Sequence, residues 1–191
     1  MNLIRTIAAA ITFALLGITT AKAQTTAEVN FGVKAGVNFS SLKTGLNAVS
    51  DKSGKIGFNA GVFARVGSKI FFQPEVNYVT FSDKYRFNSN SYEAKFRQIN
   101  VPLLVGYKFI NTTEFIFRLA AGPDLYYNLK KPSAPSGFDY KKFSGGGAIN
   151  AGIDLGPLTL DAKYSLGLKK INSQLGQKAN IFSLTAGFKF Q

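Results

Sequence analysis

The sequence predicts an all-β fold, an eight-stranded antiparallel up-and-down transmembrane β-barrel preceded by a cleavable signal peptide. Three observations predict it. A long unbroken apolar run is confined to residues 1–23. The chain is 46% hydrophobic, and beyond that run it reaches the figure by alternating apolar and polar residues in eight segments. The connections between those segments alternate long and short.

In residues 1–23 Arg5 supplies the positive n-region, and Thr6 to Thr20 form the apolar stretch. Ala21-Lys22-Ala23 then places small residues where a signal peptidase reads them, just before Gln24. The run is short for a membrane span, so cleavage after Ala23 is expected. Loss of Arg5 and Lys22 takes the net charge from +13 to 13 − 2 = +11. Residues 24–191 are expected to form a single domain with no apolar helical span. Such an exported chain either stays soluble or crosses a membrane as a barrel.

In the first segment Phe31, Val33, Ala35, Val37 and Phe39 share a face opposite Lys34, Gly36 and Asn38. The second sets Ile56, Phe58, Ala60, Val62, Ala64 and Val66 against Gly57, Asn59, Gly61, Phe63 and Arg65. In the third, Ile70, Phe72, Pro74, Val76 and Tyr78 oppose Phe71, Gln73, Glu75, Asn77 and Val79. The fourth sets Ile99, Val101, Leu103, Val105, Tyr107 and Phe109 against Asn100, Pro102, Leu104, Gly106 and Lys108.

The fifth runs from Phe115 to Tyr127, with Arg118, Gly122 and Asp124 on its polar face. The sixth pairs Ile149, Ala151, Ile153 and Leu155 with Asn150, Gly152 and Asp154. The seventh runs from Leu158 to Leu168, with Thr159, Asp161 and Lys163 opposite the apolar set; the eighth sets Phe182, Leu184, Ala186, Phe188 and Phe190 against Ser183, Thr185, Gly187 and Lys189. Pro74, Pro102 and Pro123 are expected to mark bulges or strand ends, because proline cannot donate to a ladder.

Long loops are expected at about Ser41 to Gly54, Asp83 to Tyr92, Lys130 to Lys142 and Lys169 to Ala179. Short turns fall at Gly67 to Lys69, Asn111 to Thr113 and Gly156-Pro157. Long outer loops and brief periplasmic turns give this rhythm, and an even strand number puts both termini on the periplasmic side.

Alternation alone does not separate a soluble barrel, apolar inside, from a membrane barrel, apolar outside. The polar face decides. Gly32, Gly36, Gly57, Gly61, Gly106, Gly122, Gly152, Gly167 and Gly187 all lie on it. Glycine weakens a solvent-exposed strand, whereas a narrow, filled lumen has a use for small residues beside a few long ones. The opposite face is nearly free of charge and rich in Phe and Tyr, as a lipid-facing surface with aromatic girdles requires.

Several stretches resemble the small outer-membrane β-barrel family, the porin-family or "outer membrane protein beta-barrel domain" proteins. They are Phe71 to Tyr78 (FFQPEVNY), Gln98 to Tyr107 (QINVPLLVGY), Ala121 to Leu125 (AGPDL), Asp161 to Leu168 (DAKYSLGL) and Thr185 to Phe190 (TAGFKF). The resemblance covers nearly the whole mature chain and implies a bacterial outer-membrane location. It also implies that the barrel-assembly machinery reads the last strand, although here Gln191 follows the closing Phe190. It implies no conducting pore.

Composition excludes much chemistry. Without Cys there is no disulfide or thiol nucleophile, and without His the usual general base and Ser-His-Asp triad are missing. Gly145-Gly146-Gly147 sits at a strand start and not between a strand and a helix, so it is no phosphate loop. Acids in the loops are too few for a Ca²⁺ site. The expectation is therefore no enzyme, no metal and no cofactor.

Glu75, Arg118, Arg65, Asp161 and Lys163 are the candidate lumen network: either a charged constriction that selects small solutes or a self-neutralising plug. Eight strands leave room for side chains and little else, which favours the plug. Buried charges must be paired, so Glu75 is expected with Arg118 or Arg65, and Asp161 with Lys163 or a neighbour. In the outer loops Lys84, Arg86, Lys130, Lys131, Lys169 and Lys170 are candidates for lipopolysaccharide phosphates or for plain solvation. Nucleic acid is not expected as a partner, because the basic residues are scattered and export removes it. Two functions stay open: a structural or interaction barrel, and a narrow porin-like channel for small polar solutes. No protein partner is named.

Overall fold

The computed structural model describes residues 28–43, 49–54, 56–87, 90–129, 142–167 and 178–190. These form nine β-strands: β1 (Val29–Lys43), β2 (Val49–Gly54), β3 (Ile56–Val66), β4 (Ile70–Phe87), β5 (Asn90–Asn111), β6 (Phe115–Asn128), β7 (Phe143–Leu155), β8 (Leu158–Gly167) and β9 (Lys178–Phe190). Every neighbouring pair is antiparallel. The pairing runs β3-β1-β9-β8-β7-β6-β5-β4 and returns from β4 to β3, which closes a barrel. β2 and β3 both pair with β4, at Asp83 to Phe87 and at Phe72 to Val79, so together they form one stave. Eight staves result, as the alternation predicts.

Two of the expected long loops are partly strand. Asp83 to Tyr92 lies in a β4/β5 ladder that continues to Phe87↔Asn90, and Ser41 to Gly54 contains the end of β1 and all of β2. In the β4/β5 extension Tyr85, Phe87, Tyr92 and Ala94 alternate with Lys84, Arg86, Ser91 and Glu93, but Asp83 and the turn-forming run Asn88 to Ser91 read as a loop in so short a stretch. The remaining two, Lys130 to Lys142 and Lys169 to Ala179, fall mostly outside the described residues.

The prolines mark neither bulges nor ends. Pro74 pairs with Leu103 and Asn77 with Asn100 in one register; Pro102↔Asp124 and Val105↔Ala121 share another. Pro123 pairs with Gly147 inside a continuous ladder. The irregularity between β5 and β6 lies instead between Lys108 and Ile110, beside the short turn. At the other short turns Gly67 and Gly156 have φ of 121° and 57°, the left-handed backbone that glycine adopts without a Cβ penalty.

The faces sort as the polar-face glycines predict. Val33, Val105 and Ile149 are 46%, 57% and 57% exposed on the outside, while Glu75, Arg118 and Asp154 are buried inside. On β1 the outward aromatics Phe31 and Phe39 bracket Val33, Ala35 and Val37. That interval of eight residues, about 27 Å along a strand tilted about 40°, spans about 20 Å of membrane. Rings cluster near both ends: Tyr107–Phe109 at 5.0 Å and Phe188–Phe190 at 5.4 Å by the short turns, and Phe39–Phe182 at 6.3 Å opposite.

Glycine on the inner face is a steric demand of this wall. A Cβ on Gly36 would overlap the Leu184 carbonyl of β9, and one on Gly122 the Leu103 carbonyl of β5. The strands approach and coil too closely there for any side chain.

Candidate functional site

The lumen is filled by two connected groups of polar side chains. Nearer the short turns, Arg118 of β6 donates from Nη1 to Asp161 at 2.7 Å and from Nη2 to Asp154 at 3.1 Å and Thr159 Oγ1 at 2.6 Å. Arg65 of β3 donates from Nη1 to Asp154 at 2.5 Å and from Nε to Gln73 Oε1 at 2.6 Å. Lys189 Nζ reaches Asp154 at 3.1 Å, and Asn150 donates to Asp161 at 2.8 Å.

The second group centres on Glu75. Lys34 Nζ stands 2.6 Å and Lys163 Nζ 3.7 Å from its carboxylate, with Gln73 and Asn77 donating at 2.7 and 3.0 Å. Lys163 also donates to Asn100 at 3.0 Å; Asn100 in turn bonds Asp124, which accepts from Tyr126 Oη at 2.8 Å. Gln73 joins the two groups, with its oxygen on Arg65 and its nitrogen on Glu75.

Register explains which residues meet. Arg118 is level with Gly152 on β7, and Gly152 is level with Asp161 on β8. A Cβ on Gly152 would overlap the guanidinium, so this glycine is the slot across which Arg118 reaches Asp161. An apolar element completes the packing: Arg65 lies over the Phe63 and Phe71 rings at 5.4 and 5.5 Å, and Phe71 packs with Leu104, Ala120 and Ala148.

All five predicted network residues therefore lie in the lumen, with different pairings from those expected. Glu75 meets Lys34 and Lys163 instead of an arginine, and Asp161 meets Arg118 instead of Lys163. Gln73, Asn100, Thr159 and Lys189 sit on the polar faces of their segments; only the register across strands singles them out as partners. Of the basic loop candidates, Lys130, Lys131, Lys169 and Lys170 lie outside the described residues, as do the side chains of Lys84 and Arg86.

A sequence model of the family described as "Outer membrane protein beta-barrel domain" matches residues 22–173. This chain belongs to that family. It is an outer-membrane β-barrel protein, and its location is the bacterial outer membrane. Solved structures similar to it include the outer membrane protein OprG from Pseudomonas aeruginosa, 14% identical with a TM-score of 0.57, covering 85% of this chain and 96% of that one. Neisserial surface protein A (NspA) is 17% identical with a TM-score of 0.53, covering 84% and 97% respectively. At these identities the likeness shows the fold alone. No curated protein sequence matches the chain.

In an outer-membrane β-barrel the short turns face the periplasm. The periplasmic end here opens into a vestibule of about 760 Å³ bordered by Glu28, Lys108, Thr112, Arg65 and Lys189. Beyond the Glu75 group toward the outside lies a gap of only about 10 Å³, between Lys34, Asn77, Asn100 and Lys163. That is room for a single water.

Glu75→Gln is expected to lower the temperature at which the folded, fast-migrating band is lost on unboiled gels. It removes the carboxylate that faces both Lys34 and Lys163 and leaves two buried ammonium groups short of an anion. An unchanged melting profile would count against this role.

Proposed function

We propose that this outer-membrane barrel serves as a structural or interaction protein whose lumen is plugged and whose basic outer loops face lipid or protein partners. The observation that carries the reading is the ion-paired layer of Arg65, Arg118, Asp154 and Asp161, each no more than 5% exposed. A water-filled path past these side chains would leave them wetted. Desolvated charges held by several partners each are costly to part, which supports a lumen that stays shut.

On this reading residues 1–23 are removed on export and residues 24–191 form the mature barrel, inserted by the barrel-assembly machinery. Lys84, Arg86, Lys130, Lys131, Lys169 and Lys170 supply charge for lipopolysaccharide phosphates at the outer leaflet. No catalytic step, metal or cofactor enters the proposal. Planar-bilayer recording of the purified barrel tests it: no regular conductance steps are expected. Steps of reproducible size, absent from a mock preparation, would replace this reading with a narrow channel for small polar solutes.

A further inference from the structure

We propose that the periplasmic vestibule is a binding site for a small oxyanion, a soluble phosphate- or carboxylate-bearing solute. At about 760 Å³ it has the size of a small-molecule pocket, which runs from about 300 to 1,000 Å³. Its cations come from three strands: Arg65 on β3, Lys108 on β5 and Lys189 on β9.

Charge and hydrogen-bond capacity are both left over on this wall. Among the described residues Arg65, Arg118 and Lys189 share two carboxylates, Asp154 and Asp161, a balance of 3 − 2 = +1 in this buried group. Arg65 is 1% exposed, yet its Nη2 has no hydrogen-bond partner among the described residues. That nitrogen is itself shut off from solvent, so Arg65 adds to the positive potential of this wall and leaves direct contact with an oxyanion to the lysines. Lys189 and Lys108 each hold one carboxylate with an ammonium group able to donate three bonds.

Glu28 shows where the ligand's charge belongs. Its carboxylate lies 2.6 Å from Lys108 Nζ, but its side chain is 50% exposed whereas that of Lys108 is 1% exposed. The backbone of Glu28 is tethered beside the first turn by the Gly67 N–H, which donates to its carbonyl at 2.9 Å. A half-solvated carboxylate on a buried ammonium is the weaker partner of the pair, and a ligand oxyanion in the vestibule competes with it for Lys108. Glu28 thus holds the site in the absence of ligand and sets its affinity.

Isothermal titration of the folded barrel in neutral detergent with inorganic phosphate, against chloride at equal ionic strength, tests the site. Saturable phosphate binding is expected. Lys108→Met should weaken it about tenfold and Glu28→Gln should strengthen it about threefold. Lys69→Met, on the same rim but exposed and directed over Tyr107, should leave it unchanged. Heat-modifiability checks that each variant folds; should Lys108→Met fail that check, the gain expected of Glu28→Gln carries the test alone. Unsaturable phosphate binding, or an affinity indifferent to Glu28→Gln, overturns the proposal. So does binding seen only with micelles containing phosphatidylglycerol, which would assign the cations to a lipid headgroup. Bilayer conductance is a separate readout, so the plugged lumen and the anion site stand or fall independently.

Discussion

Arg118→Met is expected to destabilise the folded barrel by about 3–5 kcal/mol, the cost of breaking a buried ion pair from one side. Arg118 is fully buried and bonds Asp154, Asp161 and Thr159. Asp154 would still hold Arg65 and Lys189, but Asp161 would keep Asn150 as its donor among the described residues of the group nearer the short turns. The loss therefore falls mainly on an uncompensated Asp161 carboxylate. Urea unfolding in lipid vesicles, with the unboiled-gel transition as a second probe, should show it. Adding Asp161→Asn should recover part of the stability, because the orphaned charge goes as well. Gly152→Ala should shift the midpoint in the same direction by about 1–3 kcal/mol, since its methyl group presses on the guanidinium without removing it. An Arg118→Met barrel as stable as its parent would refute the plug as a source of stability.

Val105→Arg is expected to cost about 2–4 kcal/mol in vesicles, and Leu155→Arg about 0–1 kcal/mol. Val105 is 57% exposed on the outer surface, midway along the stretch Gln98 to Asn111 over which β5 pairs with β6. Leu155 is 48% exposed and closes β7 at the Gly156-Pro157 turn, where an arginine reaches the headgroups. The contrast between the two positions is the informative quantity. Lipid around the Val105 face makes cost depend on depth, whereas water there would make both changes nearly neutral. Equal unfolding midpoints for the two variants would exclude a bilayer around this surface.

Strand positions were legible wherever the two sides of a ribbon meet different surroundings. Ile56–Val66 is read from alternation to the residue, and Phe115 and Leu158 both start strands where the pattern starts. The extension of β4 and β5 to Phe87 and Asn90 was not legible, because Asp83 interrupts the alternation and the turn-forming Asn88, Ser89, Asn90 and Ser91 outweigh Tyr85, Phe87 and Tyr92 in a short stretch. The prolines misled for a related reason. Each removes one donor, but a ladder anchored on both flanks keeps its register across the gap, as Pro74 does between β3 and β5.

The membership of the lumen follows from period-two alternation along each strand, a property of single segments, and so the chain written out in order contains it. Which charges touch is a property of neighbouring strands. Arg118 finds Asp161 only because Gly152 stands level with both, and Lys34 reaches Glu75 only because a single stave, β3, separates β1 from β4. The surplus cation at the periplasmic mouth is likewise a sum over β3, β6, β7, β8 and β9. One-dimensional pattern carries the sidedness of a strand, since successive side chains must point to opposite faces. It carries no stagger between strands, and stagger is what closure of the barrel imposes.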